Sequence, residues 1–281
     1  MGKVRKERLL GKKLGFIGAG NMGGALIRGL LTSKLVSKED LVFFDPAPAR
    51  QKEMQALGLN PARNNREVLK AQVIILAVKP QLLSKVLAEI KDSVNPGHLL
   101  ISIAAGVPLA TLEQALPQAR LIRAMPNTPL MVLAGMTAIS SGSHASREDL
   151  ALARELFGAA GRAEVVEESH LDAVTALCAS GAGFVAVFIE ALADGGVKMG
   201  LPRALALEMA AQTVLGAARL CLEEGLHPAT LKDMVASPGG TTMAGLHALE
   251  LGGFRGLVMN AIESATWRAQ DLAAHSGKLE K

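Results

Sequence analysis

Three features of the sequence predict a doubly wound α/β domain with a parallel sheet, followed by an all-helical domain. Over 14–168, short apolar runs alternate with amphipathic segments, the order in which βαβ units are built. A glycine turn spaced G-x-G-x-x-G follows the first apolar run and leads into a helix. From Ser169 onward the strand-like runs stop, and long segments rich in Ala, Leu and Met take over. At 281 residues, 49% hydrophobic and a mean hydropathy of +0.29, the chain can bury a core for each domain.

LGFI (14–17), LVFF (41–44), VIILAV (73–78), LLISIA (99–104), RLIRA (120–124) and MTAIS (136–140) are apolar runs of strand length. Between them QKEMQAL (51–57), LLSKVLAEI (82–90) and LATLEQAL (109–116) space their apolar residues three and four apart, as helices do. Ser146 with Asp149 reads as a capped helix start, and Ser169 with Asp172 reads likewise at the head of the second domain. Pro202 and Pro228 are placed to open further helices at their first turns. With no long repeat and no flexible linker, the expected domains are 14–168 and 169–281, meeting at a tight boundary near Glu167 and Glu168.

Charge is concentrated at one end. Residues 1–13 carry six basic side chains against one acid, so the tail holds +5 of a net +4 and the remainder about −1. A block of like charge is expected to be a disordered tail. The folded body then has no basic face, and 3% aromatic residues leave little to stack on bases, so no nucleic-acid partner is expected. The tail lacks the apolar stretch of a signal peptide, which makes the cytoplasm the expected compartment. Two cysteines, Cys178 and Cys221, suit a reducing compartment and supply neither a disulfide framework nor a metal site. The uncharged stretch 173–189, AVTALCASGAGFVAVFI, approaches the ~20 residues of a membrane span. Small residues fill its middle, and Asp172 and Glu190 flank it, so it is expected to be a helix buried on all sides, between subunits, rather than in a membrane.

The glycine turn carries the first chemical function. In LGFIGAGNMGGALIRGL, Gly18 permits the tight turn, Gly20 lets a pyrophosphate approach the backbone, and Gly23 lets the helix lie close on the strand. Together with Ala19, Asn21 and Met22, these residues place a phosphate on the free N–H groups of a helix N-terminus. The domain is therefore a Rossmann-type dinucleotide-binding domain. Asp45 ends the second strand, where an acid takes the ribose hydroxyls of NAD, or else caps the helix after it. Arg50 lies close enough in sequence to hold the 2′-phosphate of NADP, so NADPH and NADH both stay open. Lys79 and Pro80 stand at the carboxyl edge of the sheet, where such sheets bind ligands. The run 103–107, with Ile103, Ala104 and Ala105, is small enough for a nicotinamide ring to lie against. In MPNTP (125–129) the prolines fix a loop and Asn127 offers both a donor and an acceptor.

The chain has no tyrosine, which excludes dehydrogenases whose general acid is a phenol. None of its six histidines stands with a carboxylate in a catalytic dyad, so the hydride acceptor needs little acid–base help.

These motifs resemble the Δ1-pyrroline-5-carboxylate reductase family, which completes proline biosynthesis. GFIGAGNMGGALIRGL and RAMPNTP are similar to the family's cofactor domain, EALADGGVKMGLP to its central helix, and LKDMVASPGGTT with AGLHALE to its C-terminal signature. The chain departs from the common Ser-Gly-Ser-Gly-Pro of that family with Ser180-Gly181-Ala182-Gly183-Phe184, so a substrate contact from the second serine is not carried over. The resemblance implies NAD(P)H-dependent hydride transfer to the C=N bond of 1-pyrroline-5-carboxylate, giving L-proline, with no metal. In SPGGTT (237–242), Pro238 is expected to end one helix, Gly239 and Gly240 to free the backbone, and Thr241 and Thr242 to open the next helix with unpaired amides. The substrate carboxylate then rests on Gly240, Thr241 and Thr242, and the resemblance aims the Thr242 hydroxyl at the ring nitrogen. It also implies Glu168 near the substrate amine, and Asn65, Ala77, Val78 and Lys79 beside the cofactor. An interleaved homodimer, able to build rings of dimers, makes the second domain a dimerisation domain. Two other readings are a β-hydroxyacid dehydrogenase using Lys198, and a dinucleotide sensor without catalysis.

Overall fold

The computed structural model describes residues 12–276, so the expected basic tail lies outside the described residues except for Lys12 and Lys13. A seven-stranded sheet forms the first body, in the order β2-β1-β3-β4-β5-β6-β7. Its strands are β1 Leu14–Ile17, β2 Leu41–Phe44, β3 Val73–Leu76, β4 Leu99–Ser102, β5 Arg120–Pro126, β6 Gly135–Ser141 and β7 Gly161–Val165. Every neighbouring pair is parallel except β5 and β6. β1, β3 and β4 are buried at all four positions, as unbroken apolar runs require when helices cover both faces.

Alternate residues of each strand feed two cores. Phe16, Ile75, Ile101 and Ile122 pack on one face with α1 (Asn21–Thr32) and α6 (Arg147–Gly158). Leu76, Leu100 and Leu121 pack on the other with α4 (Pro80–Ile90) and α5 (Leu109–Ala115). The short helices α2 (Pro48–Ala56) and α3 (Asn65–Val68) lie between β2 and β3 in the chain. Ser146 opens α6 through a full capping box with Asp149, as its spacing predicts.

Three expectations need correction. A seventh strand, GRAEV, joins the six apolar runs, and composition does not mark it because it buries only Ala163 and is held by its pairing with β6. Ser169 is not a helix cap: it lies inside a 3₁₀ turn, Glu168–His170, and α7 (Leu171–Val174) starts after it with His170 at the cap position. Pro238 does not end a helix, since α10 (Pro228–Met234) has already stopped before it. Within one chain the stretch 173–189 keeps open sides, with Leu177 63% and Val187 64% exposed.

Packing divides the described chain into two units, 12–179 with 265–276, and 180–264. The division falls later than Glu168 because Leu171 is buried with Met125 and Ala138, with Val174 and Ala179 packed against them. The second unit is entirely helical, with α8 (Gly181–Lys198), α9 (Arg203–Glu223), α10, α11 (Thr241–Leu251) and the first part of α12 (Phe254–Ser276). Ala193, Ala206 and Ala210 let α8 and α9 pack closely. Much of the remaining apolar surface is open, including Val187, Leu215, Leu222 and Leu257. Two helical stretches, Glu168–Lys198 and Arg203–Glu223, are long and apolar enough to cross a membrane by length and composition alone.

Candidate active site

The strand order reverses at β1 and β3, which places the glycine turn at the crevice where open α/β sheets take nucleotides. Gly18 is left-handed at φ 97°, and a Cβ there would stand 2.6 Å from the Ala77 carbonyl oxygen. A Cβ on Gly23 would stand 2.5 Å from the Gly18 carbonyl oxygen and 2.9 Å from the Ala77 Cβ. Gly20 differs: a Cβ there meets nothing within 4 Å. It caps α1 without a side-chain hydrogen bond, and the first turn of α1 holds no acid. Open space before a helix N-terminus, with amides aimed into it, fits a pyrophosphate.

Asp45 is buried at the end of β2, and it is not the cap of α2, whose cap position is Ala47. Its Oδ2 accepts from the Ala19 amide at 2.8 Å and its Oδ1 from the Ala47 amide at 2.9 Å. The carboxylate therefore clamps the glycine turn onto the second strand. Arg50 is brought to the same place: Nη2 donates to Asn21 Oδ1 at 2.8 Å and Nη1 to Glu53. Ala77 and Val78 follow β3 directly under the turn, and the exposed Lys79 caps α4, which starts at Pro80. Ile103 extends the pairing of β4 by donating to the Leu76 carbonyl, which sets 103–105 at the same edge. Met22 is half-buried in the first turn of α1. Asn65 is buried too, but its described hydrogen bond goes to Glu89 at 2.8 Å rather than to the glycine turn.

Asn127 uses both halves of its amide, accepting from the Met136 amide and donating to the Cys178 carbonyl. Burial pushes the Cys178 thiol up, which makes it a poor nucleophile at neutral pH. His98 is buried between Asn95 and the Leu69 carbonyl, and His227 caps α10 by accepting from the Ala229 amide, so both have structural duties. Among the described residues, no three His, Cys, Asp or Glu side chains gather as for a metal.

Glu168 is tied down at the head of the helical region. Its Oε1 accepts from the Leu109 amide at 2.7 Å and from Arg123 Nη1 at 3.0 Å. The motifs do not point to Arg123; its signal in the sequence is a charged residue inside the apolar run RLIRA.

In the second unit, SPGGTT forms the second feature. Gly239 is left-handed at φ 68°, and the Gly240 amide turns back to the Ser237 carbonyl at 3.0 Å. A Cβ on Gly240 would meet Ser237 Oγ at 2.3 Å, so only glycine fits this corner unaltered. Gly240 caps α11 without a side-chain hydrogen bond, and no acid stands in the first turn. Thr241 is exposed and Thr242 half-buried. Lys198 ends α8, exposed, where the helix dipole favours a cation.

A mostly parallel sheet with an open helix N-terminus at its reversal point, followed in the chain by a helical region with large exposed apolar surface, is the arrangement of a dinucleotide-dependent oxidoreductase that self-associates. Residues 13–106 match a family model described as NADP oxidoreductase, coenzyme F420-dependent, and residues 168–272 match one described as pyrroline-5-carboxylate reductase dimerisation. The chain is 47% identical to a pyrroline-5-carboxylate reductase of Methanosarcina acetivorans, covering 93% of this chain and 98% of that one. It is 44% identical to pyrroline-5-carboxylate reductase 3 of Macaca fascicularis, over 93% and 96% of the two chains. The crystal structure of Plasmodium falciparum pyrroline carboxylate reductase with NADP bound superimposes with a TM-score of 0.83 at 33% identity, over 94% of this chain and 98% of that one. The chain belongs to the pyrroline-5-carboxylate reductase family. It is an NADP-type oxidoreductase, and its 168–272 region makes it a homo-oligomer.

Proposed function

We propose that this chain reduces 1-pyrroline-5-carboxylate to L-proline, with the imine bound at SPGGTT. The observation that carries the reading is the α11 N-terminus: a glycine cap with no side-chain acceptor and no acid in its first turn. The amides of Thr241 and Thr242 hold the substrate carboxylate there as helix N-termini hold other anions. The Gly240 amide, expected to join them, is already given to the Ser237 carbonyl and shapes the corner. The family relation and this corner together set aside the β-hydroxyacid dehydrogenase and the non-catalytic sensor.

NAD(P)H, when bound, supplies the hydride. With the ring nitrogen protonated, hydride arrival at the imine carbon, C2 of the pyrroline ring, converts the C=N bond to a single bond and returns the π electron pair to nitrogen. Thr242 holds that nitrogen through its hydroxyl, and Glu168 stands on the amine side. Gly18 to Gly23 receive the pyrophosphate, Asp45 and Arg50 border the adenosine ribose, and Ala77 to Pro80, Ile103 to Ala105 and Asn65 complete the bed. The open apolar faces of α8, α9 and α12 support an interleaved dimer in which each subunit's C-terminal helices complete its partner's site, and dimers can close into rings. The two apolar helical stretches then bury themselves against a second copy, not in lipid. The free thiols of Cys178 and Cys221 accord with a cytoplasmic location.

Mixing the protein with NADPH or NADH and pyrroline-5-carboxylate is expected to deplete the reduced nicotinamide band and form proline. Turnover of 3-hydroxy acids without imine reduction would sink this reading.

Asp45→Ala tests the cofactor end. Loss of the carboxylate removes repulsion from a 2′-phosphate, so the NADPH-to-NADH ratio of kcat/KM is expected to rise. Because the Ala19 amide also loses its acceptor, affinity for both cofactors should fall by about 5- to 10-fold, the worth of one hydrogen bond. An unchanged ratio with weaker binding of both would leave Asp45 as a clamp only.

A further inference from the structure

Arg123 lies in the middle of β5 and is 5% exposed. Its register neighbours are Ser102 on β4 and Ser140 on β6, so a polar row crosses a sheet face that is apolar one step back at Leu100 and Leu121. Nη1 reaches Glu168 Oε1, while Nη2 is buried with no partner among the described residues. A buried guanidinium left short of a hydrogen bond and paired with a carboxylate that is one-third exposed is a poor source of stability, since an apolar side chain in its place does as well or better. Packing does not account for it.

What the pair does is geometric. One oxygen of Glu168 takes both the Arg123 guanidinium and the Leu109 amide, the first amide of α5. Directly before that amide runs the 103–107 loop, turned by Gly106 at φ 72°. Three segments thus meet at one carboxylate oxygen: the strand leading to MPNTP, the end of the proposed nicotinamide-facing loop, and the start of the dimerisation region. We infer that Arg123 is a positioning residue for imine reduction, holding Glu168 and the 103–107 loop in register with each other. The inference rests on the roles proposed above for Glu168 and that loop.

The test compares steady-state imine reduction with the binding of ADP-ribose, a probe of the cofactor half that does not reach the nicotinamide end. For Arg123→Met, kcat is expected to fall about 10- to 100-fold, as for breaking a buried charged contact, with the ADP-ribose Kd within about twofold of wild type. Arg123→Lys keeps the charge and one donor, so it should recover to within about fivefold of wild type. Glu168→Gln alone should also lower kcat, and the double variant should lose less than the product of the two single losses, because the two act as one unit. If the Met variant does not fold, Arg123→Gln, which is neutral but polar, is expected to show the same split. Wild-type kcat in the folded Met or Gln variant would overturn the inference. So would losses that multiply in the double variant, or ADP-ribose binding that falls in step with kcat. A wild type inactive on pyrroline-5-carboxylate overturns the activity and this role together; an active wild type beside an unaffected Arg123 variant overturns this role alone.

Discussion

Gly20→Leu is expected to abolish binding of NADPH and NADH alike while leaving the protein folded. The backbone at Gly20 has φ −65° and ψ −165°, an extended conformation open to any residue. Beyond its own chain neighbours, no atom of the described residues lies within 4 Å of where its Cβ would be. A leucine side chain therefore enters the space before α1, where the pyrophosphate is proposed to sit, without disturbing the turn. Losing two charge-assisted hydrogen bonds from helix amides, at about 1.5–3 kcal/mol each, weakens binding by about 10²–10⁴-fold. Calorimetric titration and thermal unfolding read the two effects separately. A Gly20→Leu protein that binds NADPH with wild-type affinity would remove the cradle from this turn.

The other two glycines of the motif should behave in the opposite way. Gly18→Ala places a Cβ 2.6 Å from the Ala77 carbonyl oxygen at a left-handed φ, and Gly23→Ala drives one into the Gly18 carbonyl. Both then lose stability before they lose a ligand contact. The G-x-G-x-x-G spacing already gives the three glycines different duties; the geometry adds the atoms that Gly18 and Gly23 face and the open space beside Gly20.

That contrast marks how far the sequence is legible. Strands such as VIIL and LLIS are readable because burial on both faces leaves an unbroken apolar run, and the alternation with helices follows from the same cause. β7 is not readable, because an edge strand with one buried side chain gets its conformation from its neighbour rather than from its own composition. Asp45 can be placed at a strand end by counting, but its grip on the Ala19 amide depends on how the second strand lies beside the first. Arg123 shows in RLIRA as a charge out of place, yet its partner Glu168 is 45 residues away along the chain. The helices of the second unit are plain from composition. What covers their apolar faces is not, because composition marks a face as apolar without naming what packs against it.

Thr242 gives the sharpest test of the proposed chemistry. Valine has the same branched shape and nearly the same volume, and its helix propensity is close to that of threonine, so Thr242→Val should leave α11 intact. The hydroxyl alone is lost. A hydrogen bond to a group that changes charge is worth about 1.5–3 kcal/mol, so kcat for imine reduction is expected to fall about 10- to 150-fold. Cofactor affinity, set by the glycine turn, should not change. The amides of Thr241 and Thr242 remain, so a carboxylate-bearing proline analogue should still bind. Thr242→Ser restores the hydroxyl with the loss of a methyl and should keep much of the activity. Thr241→Val alters an exposed neighbour on the same turn and should do little. Wild-type kcat in Thr242→Val would reduce SPGGTT to an anion site. Loss of the analogue together with kcat would instead show that the threonine shapes the corner, since a hydroxyl aimed at the ring nitrogen contributes to the reaction and the amides alone to carboxylate binding.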